Sequence, residues 1–191
     1  MIKLTIKHEG KEYSGELPSS WNEIKVRHFI AMNEERSETS LLSFLAGIDL
    51  DIIENARNDI SQIVEKMNIL FNEPPPDLEK LKRRELFIDG KKIKFPKDLN
   101  FTRYGQKSLV RNLLASDVPI ETIVPDVFAI YAQPIIDGKF DSTRIEAIKS
   151  QVLNLPIVEV YPHVLFFFKR LRESRLNSRA KLAQYLKPPD N

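Results

Sequence analysis

Cysteine is absent from the 191 residues, and with it go disulfides, thiolate metal sites and cysteine nucleophiles. A chain without thiols suits a reducing cytoplasm, and a zinc centre is not expected. Glycine is scarce as well: the six glycines are too dispersed for GxGxxG or GxxxxGK[ST], where clustered glycines let backbone N–H groups approach phosphate. His8, His28 and His163 fall in separate predicted elements and none belongs to an HExxH or other ligand-spaced motif, so each is expected to be structural or on the surface. The serines lack a GxSxG nucleophile elbow and no base accompanies them. Asp49-Leu50-Asp51 brings two carboxylates together without the glycine and terminal glutamate of a calcium loop, so helix capping is expected there. With nucleophile, base and ligand sets all missing, no enzymatic activity, cofactor or metal is expected.

A dominant charge is missing too. Lys+Arg number 29 against Asp+Glu 27, a net charge of +2, which gives no global attraction to nucleic acid or membrane. No stretch approaches the roughly 18 consecutive apolar residues of a membrane helix, and the N-terminus alternates polar and apolar residues unlike a signal peptide. Neither an export signal nor a membrane span is expected. There is no internal repeat, and the low-complexity segments are a proline triplet and the tail Lys187-Pro188-Pro189-Asp190-Asn191.

What is present reads as an α+β chain, predominantly α-helical, with two short β-hairpins. Ile2, Leu4 and Ile6 alternate with Lys3, Thr5 and Lys7, the period of a half-buried strand, and Glu9-Gly10 supplies a turn before Glu12 to Leu17. Ser20 with Glu23 forms a capping box that predicts a helix from Trp21 to Asn33. Ser37 or Thr39 opens an apolar segment through Leu45 that Gly47 can close in the left-handed conformation, and Asp49 or Asp51 caps the next turn. From Ile52 to Phe71 apolar residues recur at three and four, the cleanest helical period in the chain. Pro74, Pro75 and Pro76 then fix φ and remove successive donors.

The triplet marks a division into an N-terminal hairpin and helical subdomain (1–73), a stiff spacer (74–78) and a hairpin plus C-terminal helical subdomain (79–191). In the second half, Leu86 to Ile88 and Lys92 to Phe95 flank Asp89-Gly90, a two-residue hairpin turn. Thr102–Ala115 and Ile120–Ala132 read as helices, with Pro134 closing the block. Asp137-Gly138 is a further turn, and Thr143 with Glu146 makes a second capping box for a helix through Val152 or Leu153. Pro156 fits the first turn of a long final helix that Pro162 should bend or divide.

Two local features stand out against the bland background. Lys169, Arg170, Arg172, Arg175, Arg179, Lys181 and Lys187 face only Glu173 over residues 169–187. These charges can complement a helix C-terminus, solvate a face, meet an acidic protein surface or touch phosphates. Immediately before them Phe166, Phe167 and Phe168 are spread about 100° apart on a helix, so one core face cannot readily bury all three. Phe166, Phe167, Phe168, Lys169, Arg170, Arg172, Arg175 and Arg179 are therefore the expected partner-binding set. A second basic stretch, Lys80, Lys82, Arg83, Arg84, Lys91, Lys92 and Lys94, interleaves with Phe87 and Phe95. It suits a base-stacking platform or, more plainly, a hairpin with buried rings and wet lysines.

The order of phrases Pro18-Ser19-Ser20-Trp21-Asn22-Glu23-Ile24, LLSFLAGID, FNEPPP, Phe101-Thr102-Arg103-Tyr104-Gly105-Gln106, FAIYAQP and FFFKRL resembles small structural proteins of tailed bacteriophages of Bacteroidetes hosts, in particular crAss-like phages. The resemblance implies a non-enzymatic ring or head-tail connector protein of the virion tail or neck, made in the host cytoplasm. It further implies self-assembly, with twelve-fold symmetry, against the portal and other neck and tail proteins around passing DNA, with no membrane partner. Head-to-tail contacts close such a ring, so each subunit needs two different complementary patches. A tail assembly chaperone and a nucleic-acid-binding accessory protein are the alternative readings.

Overall fold

The computed structural model describes residues 1–34, 36–55, 76–77, 80–81, 85–88, 90–95, 104–116 and 118–170. The expected first hairpin forms from Ile2–His8 (β1) and Lys11–Leu17 (β2), antiparallel in register from Ile2 opposite Leu17 to His8 opposite Lys11. Glu9 and Gly10 take φ of 49° and 75°; positive φ at both turn positions gives a twist that matches the strands. The alternation then buries Leu4 and Ile6 completely.

The helix expected from Trp21 to Asn33 is broken, and the capping box does not form. Trp21–Glu23 is a single 3₁₀ turn, Ile24 and Lys25 are extended, and the α-helix is confined to Val26–Met32 (α1). The cause is a long-range pairing: Val26 N–H donates to the Leu155 carbonyl at 2.9 Å and Ile157 N–H to the Ile24 carbonyl at 2.7 Å, with Lys25 bridged to Pro156. Glu23 reaches back past Ser20. Its carboxylate accepts from the Met1 ammonium at 2.7 Å and from the Ser19 N–H and hydroxyl at 2.7 and 2.8 Å. These contacts, the ammonium first, hold its pKa down at about 2.

Glu38–Ala46 (α2) opens on Ser37, whose hydroxyl accepts from the Ser40 N–H at 3.2 Å, and closes on Gly47 at φ 68°. Asp49 precedes the short Leu50–Glu54 (α3). Leu4, Ile6 and Leu17 from the hairpin pack with Leu42, Leu45, Ile48 and Ile53 as one cluster. Gly15 permits that closeness, because a Cβ there would run into the Ala46 carbonyl oxygen. The helix expected over 52–71 lies outside the described residues beyond Asn55, as do Pro74 and Pro75 of the proposed spacer.

Leu86–Ile88 (β3) and Lys91–Ile93 (β4) form the second hairpin, Leu86 opposite Ile93 and Phe87 opposite Lys92, with Gly90 at φ 68°. Its buried residues Leu86, Ile88 and Ile93 join a larger cluster built with Tyr104–Ala115 (α4), Ile120–Asp137 (α5), Ile145–Val152 (α6) and a final helix over residues 157–170 (α7). Ile24 and Val26, which precede the proline triplet, belong to this second cluster. The cores thus do not divide the described chain in sequence order.

Pro134 does not close α5, which runs on to Asp137 and ends at Gly138 with φ 72°. A helical proline has no N–H for the carbonyl four residues back, here that of Ile130. The buried Gln106 side chain supplies the missing donor, Nε2 to the Ile130 oxygen at 3.1 Å. One turn away the fully buried Gln133 holds the chain reversal after α5: Nε2 donates to the Lys139 carbonyl and the Asp137 carboxylate, both at 3.0 Å, and Oε1 accepts from Asp141 N–H at 2.9 Å. Asp141, not Thr143, caps the next turn, accepting from the Thr143 N–H at 3.0 Å and hydroxyl at 2.7 Å. Nor does Pro162 divide α7, which stays helical across it; lying in its first turns, it removes only one hydrogen bond from the helix.

Candidate interaction surfaces

Among the described residues no group of three or more His, Asp or Glu side chains is placed to hold a metal, and no helix is long and apolar enough to cross a membrane. The three histidines stay apart. His28 is 2% exposed in α1 against the Phe44 ring, centroids 6.2 Å apart. Its Nδ1 accepts the Lys25 N–H at 3.4 Å, and Arg27 Nε stands 3.4 Å from Nε2. A neutral imidazole accepts at one nitrogen only, so a single tautomer satisfies one of these two donors, Lys25 N–H or Arg27 Nε–H, and not both. Burial first, then the Arg27 and Lys25 charges, press the His28 pKa down to about 4. His163 is buried among aromatics, 4.1 Å from the Phe95 centroid.

The aromatic run ahead of the basic segment is split by α7. Phe167 is fully buried, edge-on to Tyr131 at 5.5 Å and to Phe168 at 5.7 Å. Phe168 is half-buried against the same cluster. Phe166 is also half-buried, with the Arg170 guanidinium 5.3 Å from its ring centroid, a cation–π arrangement, and Lys169 is exposed. Phe166, Lys169 and Arg170 thus share one side of the last described turn of α7, while Phe167 is internal and Phe168 packs against the core. Arg172, Arg175 and Arg179 lie outside the described residues.

The second basic stretch divides differently from either simple expectation. Phe95 is core, stacked on Tyr131 at 5.4 Å and 17° and edge-on to Phe128 at 5.4 Å. Phe87 points the other way and is 63% exposed. Lys91, Lys92 and Lys94 are exposed on the hairpin, and Lys92, opposite Phe87, is ion-paired with Glu85. The pleat explains this. Once a two-residue turn places Leu86, Ile88 and Ile93 on one face, Phe87 must occupy the other.

Sequence periodicity did not reveal a groove of about 430 Å³ between α4, α5 and α6. Leu109 and Leu113 form one wall, Ile130 and Ile145 the other, and the carboxylates of Asp126 and Glu146 stand among them. Asp126 is bridged at 2.7 Å by Lys149, which ties α5 to α6, whereas Glu146 is exposed at the rim. Just past Ser116, another lining residue, Val118 and Ile120 are 43% and 51% exposed. They continue the apolar character of that end. No motif signals such a groove, because it arises between three helices packed over one apolar cluster.

The chain matches no protein-family model, no curated protein and no solved structure.

Proposed function

We propose that the protein is a non-enzymatic structural component of a tailed-phage virion, present as a multi-copy ring in the portal-to-tail region. The observation that carries this reading is the split aromatic run. Phe167 anchors α7 in the core, while Phe166, Lys169 and Arg170 share the outer side of its last described turn, beyond which the sequence continues into an almost wholly cationic segment. An anchored helix with an aromatic and basic end suits docking on a neighbouring subunit or on the portal, since aromatic and Arg side chains concentrate interface energy. The order of phrases from Pro18-Ser19-Ser20-Trp21 to FFFKRL supports the phage assignment through its resemblance to crAss-like neck proteins.

Deletion of residues 169–191 tests this role. The truncated protein is expected to keep a helical far-UV circular dichroism spectrum, because Phe167 and the cluster around it remain, and to be lost from assembled virions. Normal incorporation would remove the docking role. Incorporation with defective DNA retention would assign the basic segment to phosphate contacts instead.

A further inference from the structure

The geometry points to a specific head-to-tail contact: the β3–β4 hairpin of one copy inserts Phe87 into the α4–α5–α6 groove of the next. This rests on the multi-copy reading above and supplies the two different complementary patches that such a ring requires.

Within one copy Phe87 is 63% exposed and is not among the residues that line the groove, which leaves both surfaces available to a second copy. The two surfaces match in kind. Phe87 is a large apolar side chain on a two-stranded hairpin whose other face, Leu86, Ile88 and Ile93, is buried in the core. The groove, about 430 Å³ with walls of Leu109, Leu113, Ile130 and Ile145, lies within the volumes of roughly 300–1,000 Å³ that enclose organic groups. Their rims are opposite in charge. Lys92, opposite Phe87 in the register, and Lys94, two residues on, are exposed on the Phe87 side of the hairpin, and Glu146 is exposed beside the groove. An aromatic anchor seated in an apolar pocket and ringed by charge pairs is the usual anatomy of an interface hot spot, and the charges orient the approach. Because the donor and acceptor surfaces differ, each copy can give one hairpin and take another.

The lack of native cysteine allows a direct test by disulfide trapping in the full chain. Phe87→Cys and Asn112→Cys are both at exposed positions, Asn112 in the groove lining, so the fold should survive and circular dichroism checks that it does. Mixing the two single variants under oxidation over a concentration series is expected to give a mixed covalent dimer, and the double variant a ladder of covalent oligomers. Glu146→Lys should weaken the cross-link and Lys94→Glu in the partner should restore it. Two outcomes overturn the contact: no mixed dimer at any concentration, or symmetric Phe87→Cys dimers alone. So does a Phe87→Glu variant that cross-links normally through other positions but loses retention on single-stranded DNA, since Phe87 would then be a base-stacking residue. A protein abundant in virions that fails to cross-link contradicts this contact and leaves the ring reading standing. Cross-linking by a protein missing from virions does the reverse.

Discussion

Replacing Phe167 with alanine is expected to lower the unfolding free energy by about 3–5 kcal/mol, the range for truncating a buried phenylalanine, whereas Phe166→Ala should change it by less than about 1 kcal/mol. The two rings are adjacent in sequence, so the contrast comes entirely from which side of α7 each occupies. Phe167 is fully enclosed against Tyr131 and Phe168, and its loss opens a cavity that neighbouring helices cannot collapse without disturbing Phe95 and Phe128. Phe166 is half-buried beneath Arg170, where truncation forfeits a solvent-facing contact. Urea titrations of both variants check the difference. The same pair separates folding from docking: Phe166→Ala should impair incorporation into particles while the isolated protein stays as stable as the parent. Equal destabilisation by both substitutions would mean that the aromatic run is wholly core.

Acidification should weaken the fold in a window set by His28. Its folded pKa is about 4 against an ordinary 6.5, so between those values the unfolded chain carries a proton that the folded chain does not. Stability therefore rises with pH across the window; the contribution is complete above about 6.5 and lost below about 4. The full shift corresponds to about 3 kcal/mol, a sizeable fraction of the roughly 5–15 kcal/mol that holds a typical domain together. The burden falls on the α1–α2 contact, where the ring meets Phe44 and a charged imidazole would stand beside Arg27 and Lys25. Glu23, held at about 2 from an ordinary 4.5, acts mainly below this window. Unfolding free energies of the parent and of His28→Gln, measured from neutral pH down to about 4, should converge as the pH falls by that amount. Parallel curves would show that His28 titrates normally.

The local signals in the sequence were read correctly where chain neighbours decide the structure. Both hairpin turns, the Gly47 helix end and the Ser37 cap depend on φ preferences and hydrogen bonds within a few residues. Structure departs from local pattern where a partner far along the chain intervenes. Trp21 to Asn33 has a helical composition, yet Ile24 and Lys25 are drawn out by pairing with 155–157. Pro134 looks like a helix stop until Gln106, 24 residues earlier, provides the donor that the proline lacks. The capping boxes failed for a related reason: Glu23 is taken by Met1 and Ser19, and Asp141 reaches Thr143 first. Of the surfaces, the outward turn of Phe87 was available from strand alternation once Leu86, Ile88 and Ile93 were taken as one face. The groove was not, because its walls come from helices whose relative placement no short pattern encodes.

The central claim, a ring subunit carried in the particle, is tested most directly by quantitative mass spectrometry of purified virions, with the copy number referred to the portal protein. A ring component is expected at several copies per particle, in fixed proportion to the portal from one preparation to the next, and at twelve if the symmetry implied by the resemblance holds. Abundance in the infected-cell lysate together with absence from purified virions would contradict the claim and mark the protein as an assembly chaperone.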